Sequence, residues 1–282
     1  MESYFKPVSL NIKGKLYTIN KPAVMGILNT TDDSFYDGGK YNAIESALFR
    51  AEQMLKDGVD IIDIGGQSTR PGAIIGEEGD ELKATVPVIE AIIKRFPYAV
   101  ISIDTFRAVV AKAAVEAGAG IINDVSAGDD DPEMIPLAAA LKIPYIAMHK
   151  QGTPATMQQN PHYENVINDV LQYLALKKIA LNEAGITQVI IDPGFGFGKT
   201  LGHNFTLLSH LELFHSLGLP VLAGLSRKGM IWKTINGSPQ DALAGTIAAN
   251  TIALLKGAHI LRVHDVKEAV DTIAVVSALN QR

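Results

Sequence analysis

The sequence predicts an α/β fold, a (β/α)8 TIM barrel behind a short N-terminal β-hairpin. Two patterns carry that prediction. Short apolar runs able to form strands buried on both faces alternate about eight times with segments of helical spacing. Nearly every run also ends in a hydrogen-bonding or charged side chain, and such barrels place their chemistry at the C-terminal ends of the strands. The stretch 60–72 shows both patterns. Ile61, Ile62 and Ile64 form the buried run and Gly65 and Gly66 end it. Gln67, Ser68, Thr69 and Arg70 then lead to the turn signal Pro71-Gly72.

Residues 8–20 alternate like a hairpin around Gly14, so 1–20 is assigned to a hairpin extension and 21–282 to the barrel. The expected strands are 23–28, 59–64, 99–103, 121–122, 143–148, 188–191, 220–223 and 258–263. Between them, 41–56 places Ile44, Leu48, Ala51 and Leu55 on one helical face. Leu82, Val86, Ile89 and Ile93 do the same for 81–95. Helices are also expected at 107–117, 132–140, 163–184, 203–216 and 240–256, and a last one at 265–280 capped by Asp265.

Composition narrows the function. With 47% hydrophobic residues and a mean hydropathy of +0.15, the chain has material for a sizeable core. A net charge of −5 without a Lys/Arg block argues against a nucleic-acid partner. The absence of cysteine excludes disulfides and thiolate chemistry and fits a reducing compartment. The first residues lack the basic start and apolar core of a signal peptide. No apolar run reaches the roughly 18 residues of a membrane span. A cytoplasmic protein with no membrane partner is expected.

The strand ends hold Asn29, Gly65 to Gly72, Asp104, Asn123 with Asp124, Met148 with His149, Asp192, Ser226 with Arg227 and Lys228, and Arg262 with His264. Asp104 and Asp192 follow Ser102 and Ile190 at a spacing of two, so each shares a face with the residue below it. If those faces point inward, both carboxylates and Asn123 converge on the mouth. Carboxylates so placed suit a flat heterocycle presenting adjacent N–H donors. Asp104 also stands near enough to the next helix to cap it instead. Arg262 and His264, two apart, fit an anion pocket, with a structural role the alternative for His264 more than for Arg262. Lys228 fits a Schiff-base nucleophile, a hydrogen-bond donor or a solvated surface lysine. The glycine-rich run 192–199 lacks P-loop spacing and reads as backbone that a ligand or loop approaches closely. The polar stretch 29–39 is a lid candidate.

In order and spacing, the stretches 29–39, 65–72, 103–105, 122–124, 148–149, 192–199, 226–228 and 262–265 resemble the motifs of the dihydropteroate synthase family, from about residue 20 onward. The resemblance implies a transferase of folate biosynthesis. It would join 6-hydroxymethyl-7,8-dihydropterin pyrophosphate to p-aminobenzoate and release pyrophosphate, by dissociative displacement at the pterin methylene. Asp104, Asn123, Met148, Asp192, Phe197 and Lys228 would bind the pterin. Asn29, Thr69, Arg262 and His264 would bind the pyrophosphate, with Mg2+ held at Asn29. Phe35, Thr69, Arg70, Pro71, Ser226 and Lys228 would border the p-aminobenzoate, where sulfonamides bind in the family. The implied catalytic groups are Asp33, Asp104, Asp192 and Lys228, in a homodimer. The alternative is a related barrel holding methyltetrahydrofolate for methyl transfer, which needs no pyrophosphate site.

Three positions depart from the family pattern. Asp32 stands where proline is common, Gln67 where glutamate is common, and Gly229 where a larger residue, often serine, is usual.

Overall fold

The computed structural model describes residues 4–30, 39–68, 72, 73 and 75–279. Strands β1 (Val8–Ile12) and β2 (Lys15–Ile19) pair antiparallel across a turn at Lys13 and Gly14, both at positive φ. Eight parallel strands follow: β3 (Ala23–Asn29), β4 (Ile61–Gly65), β5 (Ile101–Asp104), β6 (Ile121–Asp124), β7 (Tyr145–Met148), β8 (Val189–Asp192), β9 (Leu222–Ala223) and β10 (Ile260–Val263). Their order is β8-β7-β6-β5-β4-β3-β10-β9. A parallel bridge between Ile191 and Val221 joins β8 to the start of β9 and closes the barrel.

The helices surrounding the sheet are α1 (Gly39–Lys56), α2 (Glu78–Arg95), α3 (Ala108–Ala117), α4 (Met134–Leu141), α5 (Val166–Glu183), α6 (Leu201–Ser209), α7 (Gly229–Thr234), α8 (Leu243–Leu255) and α9 (Val266–Leu279). The expected helix 203–216 is divided at His210, after which Leu211–Leu217 tightens into a 3-10 helix. The short α7 was not expected. Asp265 stands at the expected N-cap position just before α9, its carbonyl accepting Ala269 N–H at 3.2 Å, while its carboxylate accepts Nε–H and Nη2–H of Arg227 at 2.9 and 2.7 Å, a bidentate pair. Among the described residues no helix is long and apolar enough to cross a membrane.

Strand alternation decides which residues enter the barrel. Val24, Leu28, Ile62, Ile64, Ile122 and Ile191 belong to the core between sheet and helices. Their neighbours Met25, Ile61, Ile121, Ile146, Ile190, Leu222 and Ile260 form a second cluster with Leu10, Ile12 and Ile19 of the hairpin. The hairpin thus plugs the N-terminal end of the barrel. Further up the strands, the same inward parity delivers Asp63, Asp104, Asn123, Met148, Asp192 and Arg262. The plugged end is apolar because water is shut out; the open end can hold charge.

Candidate active site

Asp63, fully buried on β4, organises the mouth. Its Oδ2 accepts Arg262 Nε–H at 2.6 Å and Asn123 Nδ2–H at 3.0 Å. Arg262 Nη2 donates to Asp104 Oδ2 at 2.5 Å. Arg262, expected to face an anion, therefore bridges two carboxylates with two of its five N–H donors. Asp63 Oδ1 and Asp104 Oδ1 are buried without a protein partner among the described residues. The sequence reading missed Asp63. Its signal was an acidic residue inside the run of Ile61, Ile62 and Ile64. Asp104 is not a helix cap, because Asp131 Oδ2 receives the Ala108 N–H that opens α3, at 2.7 Å.

Asp192 Oδ1 accepts Gly194 N–H at 2.7 Å. Lys228 donates to Phe195 O, and its ammonium sits 4.6 Å from the centre of the Phe197 ring. Half-buried at the mouth, Lys228 is no surface lysine. Met148 is buried opposite Asp192 in the β7–β8 register. Ser226 Oγ accepts the His264 backbone N–H at 3.1 Å and lies 3.0 Å from His264 Nδ1. Asn29 ends β3 near Asp104. A Cβ on Gly65 would lie 3.8 Å from Asn29 Oδ1 and 3.6 Å from Asp104 Oδ2.

Burial raises the Asp104 carboxyl to about 7 despite Arg262, and Asp63 adds to the rise. Burial raises Asp192 too, with Lys228 opposing. Burial lowers the Lys228 ammonium to about 8 against the pull of Asp192. In Arg262 burial also favours proton loss, but Asp63 and Asp104 outweigh it and hold the group above its ordinary value. The mouth therefore carries an acid and a base that change charge close to neutrality.

Asp33, Phe35, Thr69, Arg70 and Pro71 lie outside the described residues. Around them the loop ends are informative. Gln67 clasps Gly76, donating to its carbonyl at 3.0 Å and accepting its N–H at 3.2 Å. A carboxylate could accept but not donate there, so the departure from glutamate has a local reason. Gly65 and Gly66 do not have positive φ, so no left-handed backbone requires glycine at either position. Gly66 is small because a Cβ would fall 2.7 Å from Thr85 Cγ2 and 3.0 Å from Glu81 Cγ on α2. A Cβ on Gly229 would make only ordinary contacts, with Trp232 and Lys233 at 3.8 Å, so nothing in the packing requires glycine there.

Residues 25–264, from β3 through β10, match the family described as pterin binding enzyme. The dihydropteroate synthase of Escherichia coli strain K12 is 44% identical over 273 residues, 96% of each chain. The chain belongs to the dihydropteroate synthase family. Solved structures agree in three dimensions. The Xanthomonas albilineans synthase with 4-aminobenzoic acid superposes with a TM-score of 0.91 at 41% identity, covering 98% of this chain and 100% of that one. A Yersinia pestis synthase in a sulfonamide drug complex gives 0.92 at 42% identity, with the same coverage. The match runs from β3 through β10, the strands whose ends assemble the mouth of Asp63, Asp104, Asn123, Asp192, Lys228 and Arg262.

Proposed function

We propose that this chain condenses 6-hydroxymethyl-7,8-dihydropterin pyrophosphate with p-aminobenzoate, giving 7,8-dihydropteroate and pyrophosphate. The observation that carries the reading is the chain of contacts from Asn123 through Asp63 and Arg262 to Asp104, facing Asp192 and Lys228. Asn123 and the two carboxylates match the N–H donors and acceptors of a pterin edge. Lys228 donates to the ring from beside Phe197, and Met148 packs against it. At the rim Arg262 and His264 meet the leaving pyrophosphate, with Ser226 holding the imidazole at Nδ1.

The methylene–oxygen bond breaks first and pyrophosphate takes the electron pair. The cation left behind is delocalised into the electron-rich pterin and faces Asp104 and Asp192. The neutral arylamine then adds and loses a proton. Mg2+ fits the rim: Asn29 offers an amide oxygen, and this ion takes most of its ligands from water and substrate phosphates. When bound, it would neutralise pyrophosphate charge. Asp33, Phe35, Thr69, Arg70 and Pro71 complete the aminobenzoate side in this reading. Leu201, Phe205, Ile252 and Leu255 expose apolar surface on α6 and α8, which pack together, and this supports a homodimer. The absence of cysteine supports a cytoplasmic location.

Purified protein given both substrates and Mg2+ should release pyrophosphate and dihydropteroate in equal amounts. Folded protein that binds both substrates without turnover would sink the reading. Methyl transfer from methyltetrahydrofolate, or borohydride trapping of a Lys228 adduct, would replace it.

A further inference from the structure

Lys199 is almost fully buried, yet its ammonium meets only neutral partners. It lies 2.9 Å from His149 Nδ1 and donates to Gly194 O at 2.9 Å and Phe197 O at 3.1 Å. His149 O lies further off, at 3.4 Å. Three donors on one ammonium are thus matched by an imidazole and two carbonyls. Burial drives its proton affinity well below that of an ordinary lysine, and burial with the adjacent ammonium lowers His149 to about 3. His149 is therefore neutral, with Nδ1 as acceptor.

The backbone around Lys199 explains why a donor is needed. Gly194, Gly196 and Gly198 all have positive φ. A Cβ on Gly194 would fall 1.8 Å from His149 O, and one on Gly198 would fall 2.3 Å from Gln151 O. The loop after β8 thus lies directly on the chain leaving β7, backbone against backbone, and its carbonyls crowd inward. Asn204 holds the loop's outer side, accepting Gly196 N–H at 2.7 Å. Lys228 takes Phe195 O on the side facing the mouth. The loop is suspended between two lysines.

We propose that Lys199 is a positioning residue for the pterin side of the mouth. By gathering Gly194 O, Phe197 O and His149 Nδ1 it fixes the loop whose Gly194 N–H orients Asp192 and whose Phe197 ring orients Lys228. The inference rests on the pterin reading of that mouth. It goes beyond that reading in giving the buried lysine a role in ligand affinity that needs no contact with the ligand.

The test compares wild type with Lys199→Met, which keeps length and apolar bulk but no donor, and Lys199→Gln, which keeps two donors. Direct binding of the pterin pyrophosphate is measured first, then KM for p-aminobenzoate at saturating pterin, with folded fraction read by circular dichroism. Expected is a loss of pterin affinity of about tenfold or more in Lys199→Met and a smaller loss in Lys199→Gln, in each case larger than the rise in aminobenzoate KM that Lys228, bordering both substrates, transmits. Folded variants with wild-type pterin affinity overturn the proposal. So do variants that both unfold, or that lose both substrates equally, since each assigns Lys199 to stability alone. Failure of the wild type to bind the pterin would instead overturn the pterin reading itself.

Discussion

Arg262 donates its Nε–H to Asp63 at 2.6 Å across the barrel mouth, and the same Asp63 oxygen accepts from Asn123 at 3.0 Å. One carboxylate thereby ties the end of β10 to the end of β6. Asp63→Asn retains an acceptor for both donors and removes the charge. Because Asp63 contributes to the raised Asp104 carboxyl, its neutralisation should move the acid limb of kcat/KM to lower pH. A pH profile superimposable on wild type would show that Asp104 does not sense this charge.

Asp104 also links stability to pH. Its carboxyl is raised in the folded state from 3.8 to about 7, so the folded protein keeps this proton where the unfolded chain has lost it. Stability should therefore fall as pH rises through that window, the reverse of a salt-bridged carboxylate with a depressed value. In Asp104→Asn the gap in unfolding free energy between about pH 5 and about pH 8 should shrink by about 1–4 kcal/mol. Urea titrations at the two pH values measure it.

Removal of Arg262 leaves two buried carboxylates without their cation. Arg262→Ala should cost about 3–5 kcal/mol of stability, and pyrophosphate-bearing substrate should bind more weakly. Arg262→Lys keeps the charge but not the two-pronged geometry, and should recover only part of either loss. Denaturant midpoints together with KM values separate the two effects.

Gly66 should tolerate no side chain. Gly66→Ala forces a Cβ against Thr85 Cγ2, and the strain should cost about 1–3 kcal/mol. Thr85→Ser deletes that methyl, so the double variant should regain much of the loss in thermal unfolding. If the two substitutions simply add, the contact is not the cause.

The Gln67 clasp makes a loop prediction. Gln67→Glu removes the donor to Gly76 O, which should weaken the closure by about 1 kcal/mol. Faster amide exchange at Gly76 and a higher KM for p-aminobenzoate are expected.

The order of strands and helices was legible because a period of two or 3.6 is written locally in the chain. So were Asp104, Asn123, Asp192, Lys228 and Arg262 as strand-end groups. Strand ends converge in a closed barrel whatever the intervening distances in sequence. Which of those groups touch was not legible. Asp63 sits inside an apolar run, and only barrel closure shows that its face meets Arg262 nearly two hundred positions away. Lys199 reads as the polar end of a glycine loop until the β7 and β8 loops are laid on each other. Gly66 shows the same limit: its sequence suggests freedom, while its neighbour on α2 makes it a steric requirement. Sequence by itself determined the fold, the family and the layer of polar residues at the mouth, since each is a matter of pattern along one chain. The tertiary structure alone decided the pairing of buried charges and the shifted proton affinities, because both depend on desolvation and on distances between segments remote in sequence.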